Sequence, residues 1–282
     1  MTGSSTLVRL ALFAAALAAV GGAAALAGRA SGIDVSPESS GAMAHGEETG
    51  DASAVGLTDS VRGLQLELEP VALRPGATMR LRLSIMATDG DPVTALDTHD
   101  DEPPLHLILV RRDLGDYRHL HPTRRGDGYA VDVELPSAGV WRAYADFELG
   151  GEKIVLGRDL LVAGDFVPQA PPAPGQNFSG DGYRVELDAG ELRAGREATL
   201  EFPIEQNGRA VERLQPYLGA NAHLVAIREG DLAYLHVHPV ESPPGTVAFD
   251  AELGEPGRYV LFLQFKHRDR VTTAPFTVEV RR

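Results

Sequence analysis

From residue 59 onward, apolar and polar positions alternate over short runs: LQLELE from Leu64, MRLRLSI from Met79, YAVDVEL from Tyr129 and VTTAPFTVEV from Val271. A period of two places successive side chains on opposite faces of an extended strand. Gly, Pro and Asp punctuate the runs, as turns between strands require. No long stretch after residue 60 shows clean 3.6-residue apolar periodicity, so the pattern predicts a turn-rich β protein.

The strongest signal is internal similarity. Residues 106 to 122 (HLILVRRDLGDYRHLHP) and 223 to 239 (HLVAIREGDLAYLHVHP) share seven identities in seventeen ungapped positions. Arg111 matches Arg228, Tyr117 matches Tyr234, and both segments end in His-x-His-Pro. The match extends upstream, pairing Gly63 with Gly182 and Gly76 with Gly195, and downstream, pairing Gly139 to Phe147 with Gly257 to Phe265. The unit of duplication is therefore a whole domain of about 100 residues, a size that can bury its own core.

About seven short strands per unit fit an immunoglobulin-like or fibronectin-like antiparallel sandwich. The expected fold is all-β, with two tandem sandwiches at residues 59–166 and 182–282. Trp141 and Tyr259 stand near the start of the penultimate strand, where such folds place a large core side chain. Residues 167–181 are Pro-rich and read as a semi-rigid linker.

The N-terminus adds the compartment. Arg9 precedes Leu10 to Ala27, an uncharged run that spans about 27 Å as a helix, close to the hydrocarbon thickness of a bilayer. Ala25, Leu26 and Ala27 resemble a small-residue cleavage site, so residues 1–29 read as a signal peptide or a retained membrane anchor. Residues 30–58, rich in Ser, Gly, Ala and acids, read as a flexible stalk. Met43, His45, Glu47 and Glu48 within it read as part of the spacer. The expected location is extracytoplasmic, in the cell envelope or secreted, with the membrane as partner through the N-terminal segment.

Net charge is -14, only Lys153 and Lys266 are lysines, and the arginines are interspersed with acids, which argues against a nucleic-acid partner. Cysteine is absent, which excludes disulfides, thiolate metal sites and thiol catalysis.

Six of the nine histidines fall in the two repeated segments. In a strand, His119 and His121 share a face, as do His236 and His238. A hairpin turning around Asp113 to Gly115, with paired residue numbers summing to about 227, sets His106 across from His121; the same count sets His223 across from His238. Three imidazoles then converge in each domain, a metal set of His106, His119 and His121 and another of His223, His236 and His238. Neutral imidazole suits Cu(II) or Zn(II), and the scarcity of Met counts against a dedicated Cu(I) site. Asp97, His99, Asp100 and Glu102 precede the first set, and Tyr217 and Asn221 the second, as further ligands or outer-shell acceptors. The competing reading makes the histidines packed core residues bonded to backbone, with no cofactor, since both hairpin faces are apolar from Leu107 to Val110.

Gly-x-Ser-x-Gly, His-Glu-x-x-His, phosphate loops and dinucleotide fingerprints are absent, so no catalytic residue is named and no enzyme is expected. Gly230 to Glu241 is similar to the first cupin motif, but Glu241 comes one residue early and a second motif is missing; a cupin-like metalloenzyme is the third reading.

The two His-x-His-Pro segments, with Tyr217 to Ala222 leading into the second, resemble a family of uncharacterised envelope proteins of high-GC actinobacteria, some labelled secreted or heavy-metal-binding. The resemblance spans both domains and the N-terminal segment. It implies export, duplication and a sandwich similar to small periplasmic copper-handling domains, and it adds no site residue beyond the histidines. The expected function is an extracytoplasmic, tethered or secreted protein that handles Cu or Zn. The alternative is a non-catalytic envelope module with structural histidines and an envelope protein as partner.

Overall fold

The computed structural model describes residues 56–98 and 103–282, with the side chains of His236 and His238 outside the description. Residues 1–29, read from the sequence as an export segment, most of the stretch read as a stalk, and His99, Asp100 and Glu102 lie outside the described residues.

The first copy contains β1 (Ser60–Val61), β2 (Leu64–Glu69), β3 (Ala72–Leu73), β4 (Met79–Ala87), β5 (Leu105–Arg111), β6 (Tyr117–Leu120), β7 (Thr123–Arg125), β8 (Gly128–Val133), β9 (Gly139–Leu149) and β10 (Glu152–Val162). One sheet has the order β1-β2-β4-β8-β7 and the other β3-β10-β9-β5-β6. The second copy contains β11 (Asn177–Gly180), β12 (Tyr183–Glu186), β13 (Glu197–Gln206), β14 (Arg209–Ala210), β15 (Ala222–Arg228), β16 (Tyr234–His236), β17 (His238–Val240), β18 (Thr246–Glu252), β19 (Gly257–His267) and β20 (Arg270–Val280). Its sheets run β11-β12-β13-β18-β17, with β14 on β13, and β16-β15-β19-β20. Each copy is an immunoglobulin-like sandwich, and pairing within the sheets is antiparallel except for the parallel edge of β3 on β10.

Three features depart from the sequence pattern. Each copy has ten strands among the described residues rather than about seven, because two- and three-residue edge strands are too short to show a period. Asn177–Gly180, read as linker, forms β11 against β12. The rest of the linker is tied down, with Gln169 N–H donating to Asp113 and Thr277 donating to the Pro172 carbonyl. Thr58, read as stalk, accepts from Gly157 N–H at 2.7 Å. A Cβ added at Gly157 would come within 1.8 Å of the Gly56 carbonyl oxygen, so glycine is required where this segment crosses β10.

Strand alternation explains how one sheet serves two cores. On β5, Leu105, Leu107 and Leu109 point into the first sandwich with Trp141 and Phe147. Ile108 and Val110, one register over, point outward. On β15, Leu224 and Ala226 enter the second sandwich, while Val225 and Ile227 point outward. The outward faces meet, and Ile108, Val110, Tyr117, Tyr144, Val225, Tyr234 and Phe262 form a third core between the copies. Tyr117 stacks on Phe262 with centroids 4.4 Å apart. Tyr144 O–H donates to the Leu232 carbonyl at 2.6 Å, and Tyr234 O–H donates to Asp146 at 2.7 Å, both across the seam. Twelve buried apolar residues at about 1.5–3 kcal/mol each give a gross gain on the order of 20 kcal/mol, which docks the copies against each other.

Trp141 and Tyr259 are 0% and 1% exposed. Each closes the same local loop: Trp141 N–H donates to the Ser137 carbonyl and Tyr259 O–H to the Glu255 carbonyl. The repeated arginine clamps the hairpin turn in each copy. Arg111 holds Asp113 at 2.7 Å and Arg228 holds Asp231 at 2.5 Å.

Candidate metal centre

The β5–β6 hairpin pairs Leu107 with Leu120 and Ile108 with His119, the register expected from the sequence. In the second copy Val225 pairs with His236, again as expected. The alternation that sends Ile108 and Tyr117 outward also sends His106, His119 and His121 outward, to the seam.

There the three rings converge. His106 Nδ1 lies 3.0 Å from His119 Nε2 and 3.1 Å from His121 Nε2, and one nitrogen from each ring fits within a 4.8 Å span. A metal bound tetrahedrally at about 2.0–2.1 Å separates its ligand nitrogens by about 3.3 Å, so the two contacts of His106 need to lengthen by only a few tenths of an ångström.

Burial sets the protonation. His119 is 4% exposed. Burial holds its imidazole well below the ordinary histidine range, and the neighbouring His223, His106 and His121 push it further down. His121 is lowered to about 3, by burial first and then by His106 and His223. These rings are neutral at pH 7, so Nε2 of each presents a lone pair wherever Nδ1 carries the hydrogen. The Nδ1 atoms of His119 and His121 are buried and find no hydrogen-bond partner among the described residues. Gln264, from the second copy, faces His119 and favours its charged form. Its amide donates to Thr273 at 2.8 Å, which turns the oxygen into the available acceptor. That arrangement suits an outer-shell acceptor for the His119 Nδ1 hydrogen.

His223 reaches the same place from the second copy. Its ring centroid lies 4.9 Å from that of His119 and 6.2 Å from that of His106. The His223 Nε2 hydrogen bonds to the Tyr217 carbonyl at 2.8 Å, which in the neutral ring leaves Nδ1 as the lone-pair nitrogen. His223, expected in a set of its own with His236 and His238, thus lies beside the first set, because the surfaces that carry the two hairpins are packed face to face. A cavity of about 70 Å³ beside the cluster is lined by His106, His119, His223, Asp146 and Tyr234 among others.

Of the other sequence candidates, Asp97 accepts from Gly151 N–H and serves a loop. Tyr217 contributes its backbone carbonyl, and Asn221 lines a groove elsewhere in the second copy. Pro239, after the second His-x-His, lies within β17 and pairs with Phe249. His236 and His238 belong to strands of different sheets, which is unlike the single strand that a cupin motif needs. The sequence reading missed Asp146, buried at 5% exposure and bonded by Tyr234. Its signal was the acid that breaks the apolar run Ala143 to Phe147.

The family described as domain of unknown function (DUF8832) matches residues 59–163 and again residues 177–282. The chain belongs to this family. Each DUF8832 copy is one sandwich, and the His-rich hairpin is part of it. No curated protein matches the chain. Among solved structures, the Escherichia coli adhesin FdeC is similar at 15% identity over 79% of this chain and 65% of that one, with a TM-score of 0.28. Salmonella alpha-2-macroglobulin reacted with methylamine is similar at 15% identity over 81% of this chain and 15% of that one, with a TM-score of 0.27. Domains 4 and 5 of the S-layer protein SbsC are similar at 10% identity over 78% of this chain and 98% of that one, with a TM-score of 0.23. The fold of the DUF8832 pair rests on its strand topology rather than on overlays this loose.

Proposed function

We propose that this DUF8832 protein is an exported, non-enzymatic protein of the cell envelope that holds a divalent transition metal, Cu(II) or Zn(II), through His106, His119 and His121. The observation that carries this reading is the convergence of three imidazole nitrogens, two of them 3.0 and 3.1 Å from the third, in a buried setting. A single hydrogen on His106 Nδ1 serves one neighbour well and not both, whereas a cation satisfies all three lone pairs at once. Borderline imidazole donors without thiolate select Cu(II) or Zn(II).

Binding rather than turnover is supported by the room available. The cavity of about 70 Å³ accommodates a few waters, whereas substrate pockets usually run to about 300–1,000 Å³. Export is supported by the uncharged run Leu10 to Ala27, and attachment to the membrane by its length. A structural role for the histidines draws on the His223 bond to the Tyr217 carbonyl; under that reading the cluster holds the domains together without metal.

Calorimetric titration of Zn(II) and Cu(II) separates the two readings. The wild type is expected to bind below the micromolar range at pH 7, and the His119→Ala, His121→Ala double variant to lose at least a hundredfold in affinity while keeping its β-sheet circular dichroism. Equal affinity in both proteins, or no binding by the wild type, contradicts the metal reading.

A further inference from the structure

His106 and His223 occupy equivalent places in the repeat, and strand alternation sends both to the seam. On β5, His106 shares a face with Ile108 and Val110; on β15, His223 shares a face with Val225 and Ile227. Those four apolar residues belong to the core between the copies. His119 arrives from β6 and His121 from the residue just beyond it.

Four imidazoles on one ion have a definite spacing. At metal–nitrogen distances of about 2.0–2.1 Å the ring centres lie about 3.2 Å from the ion, and tetrahedral geometry sets them about 5.2 Å apart. The four rings at the seam come close to that spacing. Their centroids are 5.2 Å apart for His106 and His119, 4.4 Å for His106 and His121, 5.1 Å for His119 and His121, and 4.9 Å for His119 and His223. His223 stands 6.2 Å from His106 and 6.3 Å from His121, so an inward shift of about 1 Å completes the tetrahedron.

We propose that His223, through Nδ1, is the fourth ligand of the ion held by His106, His119 and His121. This rests on the metal reading above and changes the site from a three-histidine centre with an open position to a closed centre built by both copies. The Tyr217 carbonyl, 2.8 Å from His223 Nε2, fixes the tautomer, as an outer-shell acceptor does for a ligating histidine. His106, His119, His223 and Asp146 line one cavity. Four neutral imidazoles leave the charge of a divalent ion uncancelled, and the Asp146 carboxylate, 5% exposed, offsets part of it at short range. The ion then clamps the two copies, and its release requires the seam to part.

Zinc-edge X-ray absorption of the Zn(II)-loaded full chain counts the imidazoles, and azide titration of the Co(II)-loaded chain detects an open coordination position. Four imidazoles, and visible bands that azide leaves unchanged, are expected of the wild type. His223→Gln, which keeps a side-chain amide to donate to the Tyr217 carbonyl, is expected to show three imidazoles, to bind azide, and to hold Zn(II) about 10- to 100-fold more weakly. If that variant does not fold, the wild-type spectra decide alone. Three imidazoles with an azide-accessible position in the wild type overturn the fourth ligand and leave the site of His106, His119 and His121 standing. Equal Zn(II) affinity in wild type and variant overturns it as well. No bound zinc or cobalt in the wild type removes both readings.

Discussion

Burial of neutral histidines makes the metal-free protein sensitive to mild acid, and the size of the effect follows from the site. His119 and His121 have folded-state pKa values pushed below the ordinary 6.5, well below it for His119 and to about 3 for His121. The unfolded chain takes up these protons near pH 6.5 while the folded chain refuses them. Stability is therefore fully present above pH 6.5 and falls as the pH drops toward 3, by about 1.4 kcal/mol per unit for each histidine. From pH 7.5 to pH 5.0 each fully buried neutral histidine contributes about 2 kcal/mol of loss. With His121 only part-buried, the pair gives about 3–4 kcal/mol, a large share of the 5–15 kcal/mol typical of a folded protein. Carboxylates held low by arginine, such as Asp231 on Arg228, lose their contribution only below about pH 4 and leave this window clear. Urea denaturation in the presence of a chelator, followed by the fluorescence of the single tryptophan, Trp141, measures the loss in the first copy. The His119→Gln, His121→Gln double variant is expected to be nearly flat over the same range. Equal stability of the wild type at the two pH values, or an equal loss in the variant, refutes the burial argument.

Tyr234→Phe removes a buried O–H that donates to Asp146 at 2.7 Å; a cost of about 2–3 kcal/mol is expected, read as a fall in melting temperature of several degrees. Phe262→Ala empties the seam beneath Tyr117 and should cost about 3–5 kcal/mol, with a parallel loss of metal affinity, because Tyr117 lies on the same strand as His119 and no longer has the ring that packs it in place. Calorimetry on a variant that is still folded checks that coupling. Arg111→Ala strips a guanidinium 2% exposed from Asp113 and Asp116, at a cost of about 3–5 kcal/mol. Arg228→Ala, whose partner Asp231 is 40% exposed, should cost less than half of that in the same denaturation assay.

Much of this architecture is legible in the chain. Alternation gave the strands, and the repeat gave two copies of one sandwich. Counting residues around the Asp113 to Gly115 turn gave a hairpin register that the pairing of Ile108 with His119 reproduces. The seam was harder to see. Apolar residues on both faces from Leu107 to Val110 indicate that both faces are buried, yet nothing local says that the second face is covered by the other copy. For the same reason the sequence did not show His223 lying beside His119. Its approach to His119 depends on how two domains dock, and docking arises from side chains spread over seven strands. The identity of Tyr117 and Tyr234 in the repeat was the visible trace of that interface. The Pro-rich stretch misled in the opposite direction. Composition describes a chain free in water, and here its residues are tied to Asp113 and Thr277.

The most direct test of the metal centre is anomalous diffraction from crystals of the protein soaked in Zn(II), recorded above and below the zinc edge. The expected result is an anomalous peak about 2.0–2.1 Å from His106 Nδ1, His119 Nε2 and His121 Nε2 together. Zinc located only at surface carboxylates, with the three imidazoles still 3.0 and 3.1 Å apart and no density between them, contradicts it.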